Sequence, residues 1–167
     1  MIIERRLLAI FGMLILVGCA GKPPVVTEPT AEQLQQAEQA GYGFIRLPEL
    51  AKFIHTRDNM ILIDARPEPE FRRGHILGST NFLFPDRSEL EPWSAASHGG
   101  IDPSTYARQL GADLGIRVVV YAENAASRRG HQAAAWARKL GYKDIRRFIG
   151  GLADWQAAGE ETRSLVP

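Results

Sequence analysis

The sequence predicts an α/β protein whose mostly parallel sheet is covered by helices on both faces. Two apolar runs, MILID at 60–64 and RVVVY at 117–121, are typical of strands buried on both faces of a parallel sheet. Segments with helical character separate the strand candidates, and this alternation is the pattern of parallel α/β folds. With 167 residues, the chain has room for one domain and a targeting segment.

Local signals predict the remaining elements. Helix formers fill residues 31–40, and Gly41 ends that candidate helix. Asp102 has N-cap chemistry for a helix running to about Leu114, with Gly115 at its end. Further strands are expected at 44–47, 80–82 and 145–149, and further helices at 48–55, 68–73, 127–140 and, after Gly150-Gly151, to about Ala158. Segment 85–100 is long and aperiodic, and we interpret it as a functional lid or an insertion.

The N-terminus has the pattern of an export signal. Arg5 and Arg6 precede an apolar run over residues 7–17, which is shorter than the roughly 18 to 20 residues needed to span a bilayer. The alternative is an uncleaved membrane anchor helix. The run ends in Leu16-Val17-Gly18-Cys19, which resembles the lipobox of bacterial lipoproteins.

That resemblance divides the chain into three parts. It implies that residues 1–18 form a signal peptide and that the Cys19 sulfur carries diacylglycerol, which would tether the protein to a membrane. Ala20 in the next position implies delivery to the outer membrane, facing the periplasm. Residues 19–40 then comprise the lipidated N-terminus, a proline-containing linker and the short helix, and residues 41–161 form the domain.

Charge and cysteine content exclude several classes of function. Twenty Lys and Arg against 19 Asp and Glu leave a net charge of +1, which gives no indication of nucleic-acid binding. The single cysteine, Cys19, excludes an intrachain disulfide and a CxxC zinc site. His55, His98 and His131 have no metal-ligand spacing, so we expect neither a metal nor another cofactor.

Ligand sites of parallel sheets lie beyond the carboxyl ends of the strands. That rule selects Asp64, which ends one buried strand, and residues 122–129, which follow another. Residues 122–129 run into a helix whose first amides and positive dipole end favour an anion. The loop is therefore the expected anion-binding segment. It consists of Ala122, Glu123, Asn124, Ala125, Ala126, Ser127, Arg128 and Arg129.

Several motifs in order resemble the rhodanese domain, over residues 44–159. The motifs are IDAR at 63–66, EFRRGHILGSTN at 70–81, VVVY at 118–121, KLGY at 139–142 and IGGLADW at 149–155. The resemblance implies a central five-stranded, mostly parallel sheet with helices on both faces. It also implies an active loop after the fourth strand, where a cysteine takes sulfur from thiosulfate or a similar donor as a persulfide.

In this chain the position of that cysteine holds Ala122. Sulfur transfer needs a thiolate, and a methyl group offers no atom for it. Cys19 lies some twenty residues before the fold, so it is no substitute. Related phosphatases and arsenate reductases need the same cysteine, so the sequence predicts no catalytic residue.

The other candidates have structural interpretations. The resemblance implies that Asp64 and Arg66 brace neighbouring loops and that His75 is buried and hydrogen-bonded. Arg128 and Arg129 are the best candidates for contacting an anion, although Glu123 opposes their charge. Ser127 is interpreted as a helix N-cap, because no acid or base partner stands at a recognisable spacing.

Three functions stay open at this point. The preferred one is a lipid-anchored, non-catalytic module of the cell envelope that binds an envelope protein partner or a small anion such as thiosulfate, sulfate or phosphate. The second is a thiosulfate-type sulfurtransferase whose nucleophile is replaced by Ala122 in this chain, in an altered sequence or a natural variant. The third is a structural envelope lipoprotein with no ligand.

Overall fold

A computed structural model describes residues 26–87, 93 and 102–166 of the chain. The predicted signal peptide, Cys19 and the linker up to residue 25 lie outside the described residues. So does the 85–100 segment, apart from residues 85–87 and Trp93. Among the residues that are described, no helix has the length and apolar character needed to cross a bilayer.

Five parallel strands form the main sheet, and two short strands pair beside it. The strands are β1 (Gly43–Ile45), β2 (Met60–Asp64), β3 (His75–Ile76), β4 (Thr80–Asn81), β5 (Arg117–Tyr121), β6 (Asp144–Phe148) and β7 (Thr162–Arg163). The main sheet has the order β1-β6-β5-β2-β4, and β3 pairs antiparallel with β7. The predicted five-stranded parallel sheet is therefore confirmed. The β3–β7 pair was not predicted, because two residues per strand are too few to show a pattern.

Six helices accompany these strands in the described part of the chain, and the first of them precedes β1. They are α1 (Ala31–Ala40), α2 (Leu47–Thr56), α3 (Glu68–Arg73), α4 (Pro103–Leu110), α5 (Arg129–Lys139) and α6 (Gly151–Ala157). The predicted bounds of β2, β5 and α3 agree with the structure, while β6 begins and ends one residue earlier than predicted.

Two helix bounds correct the predictions. The helix that begins after Asp102 ends at Leu110 and not near Leu114, because Gly111 adopts a φ of +77° and its N–H bonds back to the Ala107 carbonyl. Helix α5 begins at Arg129 and not at Ser127, and its N-cap is Arg128 instead of the predicted Ser127. The Ser127 N–H donates to the Asn124 carbonyl in a turn of the loop, and the Arg128 N–H donates to Asp86. The first hydrogen bond of the helix therefore runs from the Gln132 N–H to the Arg128 carbonyl.

The sheet has an apolar core on each face, as its buried strands predict. Val118 and Val120 of β5 pack on one side, in a cluster that includes residues of α1, α4 and α5. Val119 and Tyr121 pack on the other side, with residues of α2 and α6. All four side chains are fully buried, because side chains of a strand alternate between two covered faces.

Helix α1 is an ordered part of this fold. The Thr30 and Gln33 side chains form a capping box at its start, and Gly41 ends it with a φ of +74°. Ala37 is buried against the core next to α5. The Gln33 Nε2 donates to the Ala125 carbonyl at 2.8 Å, so α1 contacts the loop predicted to bind an anion.

Candidate functional site

The loop between β5 and α5 lies at the carboxyl end of the sheet, where the sequence places it. Ala122 follows β5 directly and is 3% exposed. Helix α6 holds the beginning of the loop: the Leu152 N–H donates to the Ala122 carbonyl at 2.9 Å, and the Ala153 N–H donates to the Glu123 carbonyl at 3.0 Å. The first residues of the loop are thus fixed by backbone hydrogen bonds from another element.

Gly151 allows this close contact between α6 and the loop. Its φ is +61°, and a Cβ atom there would lie 2.4 Å from the Ala122 carbonyl oxygen. Only glycine combines that conformation with that approach. The GG of the IGGLADW motif therefore has a specific structural role beside the site.

Several N–H groups of the loop donate to acceptors of the protein itself. The Ala126 N–H donates to the Asn124 Oδ1 at 2.9 Å, and the Arg129 N–H donates to the Ser127 Oγ at 3.4 Å. The Arg128 N–H, at the N-cap of α5, donates to the Asp86 Oδ1 at 2.7 Å. These N–H groups would have to leave their present acceptors before they could bind a small anion.

The two loop arginines differ in their surroundings. The Arg129 Nε lies 3.1 Å from the Glu123 Oε1, and its Nη1 donates to the Phe84 carbonyl, so Arg129 holds the loop to neighbouring chain. The second oxygen of that carboxylate, Glu123 Oε2, is buried without a hydrogen-bond partner. Arg128 is exposed at the start of α5. Arg128 is therefore the loop arginine whose side chain is available to a ligand.

Asp64 and Arg66 form a buried ion pair at the carboxyl end of β2, next to the loop. The Arg66 Nη2 lies 2.6 Å from the Asp64 Oδ2 and 2.7 Å from the Gly74 carbonyl oxygen. Burial lowers the pKa of Arg66, but the hydrogen bonds and the charge of the Asp64 carboxylate outweigh that effect, so the pKa is raised. The Ala65 N–H donates to the Tyr121 carbonyl, so the pair lies beside the end of β5. This geometry braces the end of β2 against the end of α3.

His75 is buried in β3, away from any acid or base partner that the structure describes. Its Nδ1 lies 2.9 Å from the Phe71 carbonyl oxygen, and its ring stacks on the Phe71 ring with centroids 4.0 Å apart. The neighbouring Ile76 N–H donates to the Tyr121 hydroxyl at 3.0 Å. His75 thus has the contacts of a structural residue.

Sequence reasoning missed two charged residues at the site, Asp86 and Arg147. Asp86 lies in the aperiodic segment, where no spacing predicts a contact with a loop some forty residues away. The burial of Arg147 could have been predicted from the sequence, because Arg147 follows Arg146 in the predicted strand. Adjacent strand residues face opposite sides, so one of the two arginines must face a covered side. Arg147 is that residue, at 3% exposure.

No group of three or more potential metal-ligating side chains occurs in the ranges that the structure describes. The His131 Nδ1 lies 3.0 Å from the Tyr42 hydroxyl, and the His55 Nε2 lies 3.3 Å from the Glu160 Oε2, so each of these histidines contacts a different side chain. The third histidine considered, His98, lies outside those ranges.

The comparisons with known proteins agree with this architecture. The profile of the rhodanese-like domain family matches residues 47–158, which is more than half of the chain. The chain therefore belongs to the rhodanese-like domain family. No curated protein matches the sequence.

Solved structures support the same fold at low sequence identity. The BH2092 protein of Bacillus halodurans is 17% identical, with a TM-score of 0.58 over 79% of this chain and 83% of that one. The polysulfide-sulfur transferase of Wolinella succinogenes, a homodimer, is 19% identical, with a TM-score of 0.54 over 78% and 85% of the two chains. A thiosulfate sulfurtransferase of Pseudomonas aeruginosa is 16% identical, with a TM-score of 0.55 over 79% of this chain and 22% of that one. At these identities the likeness shows the fold alone.

Proposed function

We propose that this protein is a rhodanese-like domain that has lost sulfur-transfer chemistry and serves as a non-catalytic binding module. The main support is that alanine, Ala122, is the first residue after β5. Strand β5 is the fourth strand of the main sheet along the chain. In active rhodaneses this position supplies the cysteine that takes up sulfur. The only cysteine of the chain stands at position 19.

The charges around the loop support the same conclusion. A sulfur donor such as thiosulfate is an anion, and its approach is favoured by unpaired positive charge and free N–H groups. Here the Glu123 carboxylate neutralises Arg129, and Asp86 accepts the N–H of Arg128. Both acidic groups oppose an incoming donor at the position where a thiolate would stand.

A sulfur-transfer assay tests the proposal. The full chain and its Cys19→Ser variant are incubated with thiosulfate and cyanide, and thiocyanate formation is compared with that of a heat-killed sample. We expect no turnover above that control in either protein. Turnover that survives Cys19→Ser would refute the non-catalytic function and favour the sulfurtransferase alternative. Cys19 could not be the source of that turnover, because the variant lacks the only cysteine of the chain.

We also propose that the domain is tethered to the outer membrane, facing the periplasm, through lipid on Cys19. The support is the N-terminal sequence, with its basic start, its short apolar run and its lipobox-like end. Fractionation of a Gram-negative host that produces the full chain tests this proposal. We expect the protein in the outer-membrane fraction and the Cys19→Ser variant outside it. Equal distribution of the two proteins would contradict lipid attachment.

For the binding partner we propose a chemical class, namely a negatively charged group. The exposed Arg128 beside the loop offers positive charge to an acidic group of an envelope protein or to a small anion. Capture of envelope proteins on the wild-type domain and on an Arg128→Ala variant tests the protein partner. A partner that binds both equally would place the interface elsewhere.

A further inference from the structure

A cavity of about 200 Å³ lies between α1 and the outer side of the loop, and one of its walls is a buried arginine. Its lining comes from the N-terminal half of α1, from residues 125–128 of the loop, from His131 of α5 and from Arg147 of β6. Ala122 does not line it, so the cavity is distinct from the position where the family carries its cysteine. Pockets that hold drug-sized ligands have volumes of about 300–1,000 Å³, so this cavity suits a smaller ligand.

Arg147 is the unusual feature of the cavity. The residue is only 3% exposed, and its Nη2 donates to the Ser127 carbonyl at 2.7 Å. Among the ion pairs of the described residues, none gives the Arg147 guanidinium a carboxylate within salt-bridge distance. The guanidinium has five N–H donors and stays charged in proteins, so it retains N–H donors and a charge without a carboxylate in direct contact.

Tyr42 and His131 are the polar side chains next to Arg147. The Arg147 guanidinium interacts with the Tyr42 hydroxyl, and that hydroxyl lies 3.0 Å from the His131 Nδ1. Arginine only donates hydrogen bonds, so Arg147 presents N–H donors to this group of polar side chains. His131 also lines the cavity, and both of its ring nitrogens are donors when the imidazole is protonated.

The charges of the cavity favour an anion. Arg128 contributes a second, exposed positive charge. Glu32 is the acidic residue of the lining, but it is exposed and accepts a hydrogen bond from Gln36. Its charge is therefore screened by water, whereas that of Arg147 is not. Asp86 acts on Arg147 at longer range and does not line the cavity.

We propose that the cavity between α1 and the loop binds an inorganic oxyanion, with Arg147 as its principal charge and Arg128 at its mouth. This inference deepens the proposed binding function, because it assigns the small anion to a specific site behind the loop. It also gives the N-terminal helix a role, since Thr30, Glu32, Gln33 and Gln36 form the outer wall of the site.

Binding of inorganic phosphate to the full chain tests the proposal, with sulfate and thiosulfate as parallel probes and sodium chloride as the ionic-strength control. Binding is followed by thermal shift and by the NMR signal of the His131 ring. We expect a saturable rise in melting temperature and an upward shift in the pKa of His131, because a bound anion favours the imidazolium. Arg147→Met should weaken binding roughly tenfold or more, as expected for loss of a hydrogen-bonded charge.

Two variants at exposed positions keep the test valid if Arg147→Met fails to fold. Glu32→Gln should tighten phosphate binding and Arg128→Ala should weaken it, each by about two- to fivefold. Lys52→Ala is the matched control, because Lys52 is an exposed cation on α2, on the other face of the sheet. A phosphate titration that leaves the His131 signal unchanged, or equal affinities in the wild type and both variants, would overturn the site. Sulfur transfer by Cys19→Ser would instead refute only the proposed function.

Discussion

The Asp86 carboxylate accepts the backbone N–H of Arg128 at 2.7 Å, and so caps helix α5 from a segment some forty residues earlier in the chain. The side chain of Arg128 itself makes no capping hydrogen bond at this helix start. A carboxylate there satisfies a free N–H and interacts favourably with the helix dipole. The contact joins the aperiodic segment to the candidate site.

Removing this cap should destabilise the protein moderately. We expect Asp86→Ala to lower the free energy of unfolding by about 0.5–2 kcal/mol, the usual effect of losing an N-cap acceptor. Asp86→Asn should retain most of the stability, because its amide oxygen can still accept the hydrogen bond. Urea denaturation measures both changes, and amide hydrogen exchange at Arg128 should accelerate in the alanine variant alone. Unchanged exchange in Asp86→Ala would show that the cap does not hold in solution.

The Asp64–Arg66 pair should contribute strongly because it is buried. Arg66→Met leaves the fully buried Asp64 carboxylate without its counter-ion, and we expect a loss of about 3–5 kcal/mol. Arg46→Met is the matched control: Arg46 pairs with Glu28 at 3.1 Å, but the two side chains are 72% and 56% exposed. That control should cost no more than about 1 kcal/mol in denaturant titrations. Similar losses in the two variants would contradict a buried bracing pair.

Gly151 and Gly159 offer a comparison of backbone contact with backbone strain. Both have positive φ, +61° and +76°, but a Cβ on Gly151 would meet the Ala122 carbonyl, whereas one on Gly159 meets nothing within 4 Å. Gly159→Ala should therefore cost about 1 kcal/mol from strain, and Gly151→Ala clearly more. Thermal unfolding gives the ranking. Equal losses of stability in the two variants would contradict the close contact between Gly151 and the Ala122 carbonyl.

His131 should make stability depend on pH below neutrality. Burial, and then the charge of Arg147, lowers the pKa of His131 from 6.5 to about 4. Between these values the unfolded chain takes up a proton that the folded protein refuses, so stability falls as the pH decreases from about 6.5 to about 4. We expect the wild type to lose about 2 kcal/mol more than His131→Gln between about pH 7 and pH 5 in urea titrations. Parallel pH profiles of the two proteins would contradict a neutral, buried His131.

The sequence predicted the parts of the fold that local patterns determine. The runs at 60–64 and 117–121 coincide with β2 and β5, because a strand buried on both faces is continuously apolar. The end of α4 was misplaced because Gly111 and Gly115 are both plausible C-caps, and the tertiary contacts that select between them leave no local signal. The β3–β7 pair depends on partners far apart in sequence.

The candidate site was predictable in location but not in its contacts. The loop 122–129 follows from the rule that sites lie at the carboxyl ends of parallel strands. The hydrogen bonds that engage its N–H groups come partly from Asp86, and the charge behind it comes from Arg147. Neither side chain is adjacent to the loop in sequence, so only the folded chain brings them to it.

Intact-mass measurement after exposure to thiosulfate and to polysulfide separates a non-catalytic domain from a sulfur carrier, because a persulfide adds a sulfur atom to the protein whether or not turnover follows. The non-catalytic function predicts no sulfur adduct on the Cys19→Ser chain, since the residue after β5 is alanine and no thiol remains. A sulfur adduct on that chain, reversible by cyanide, would contradict it.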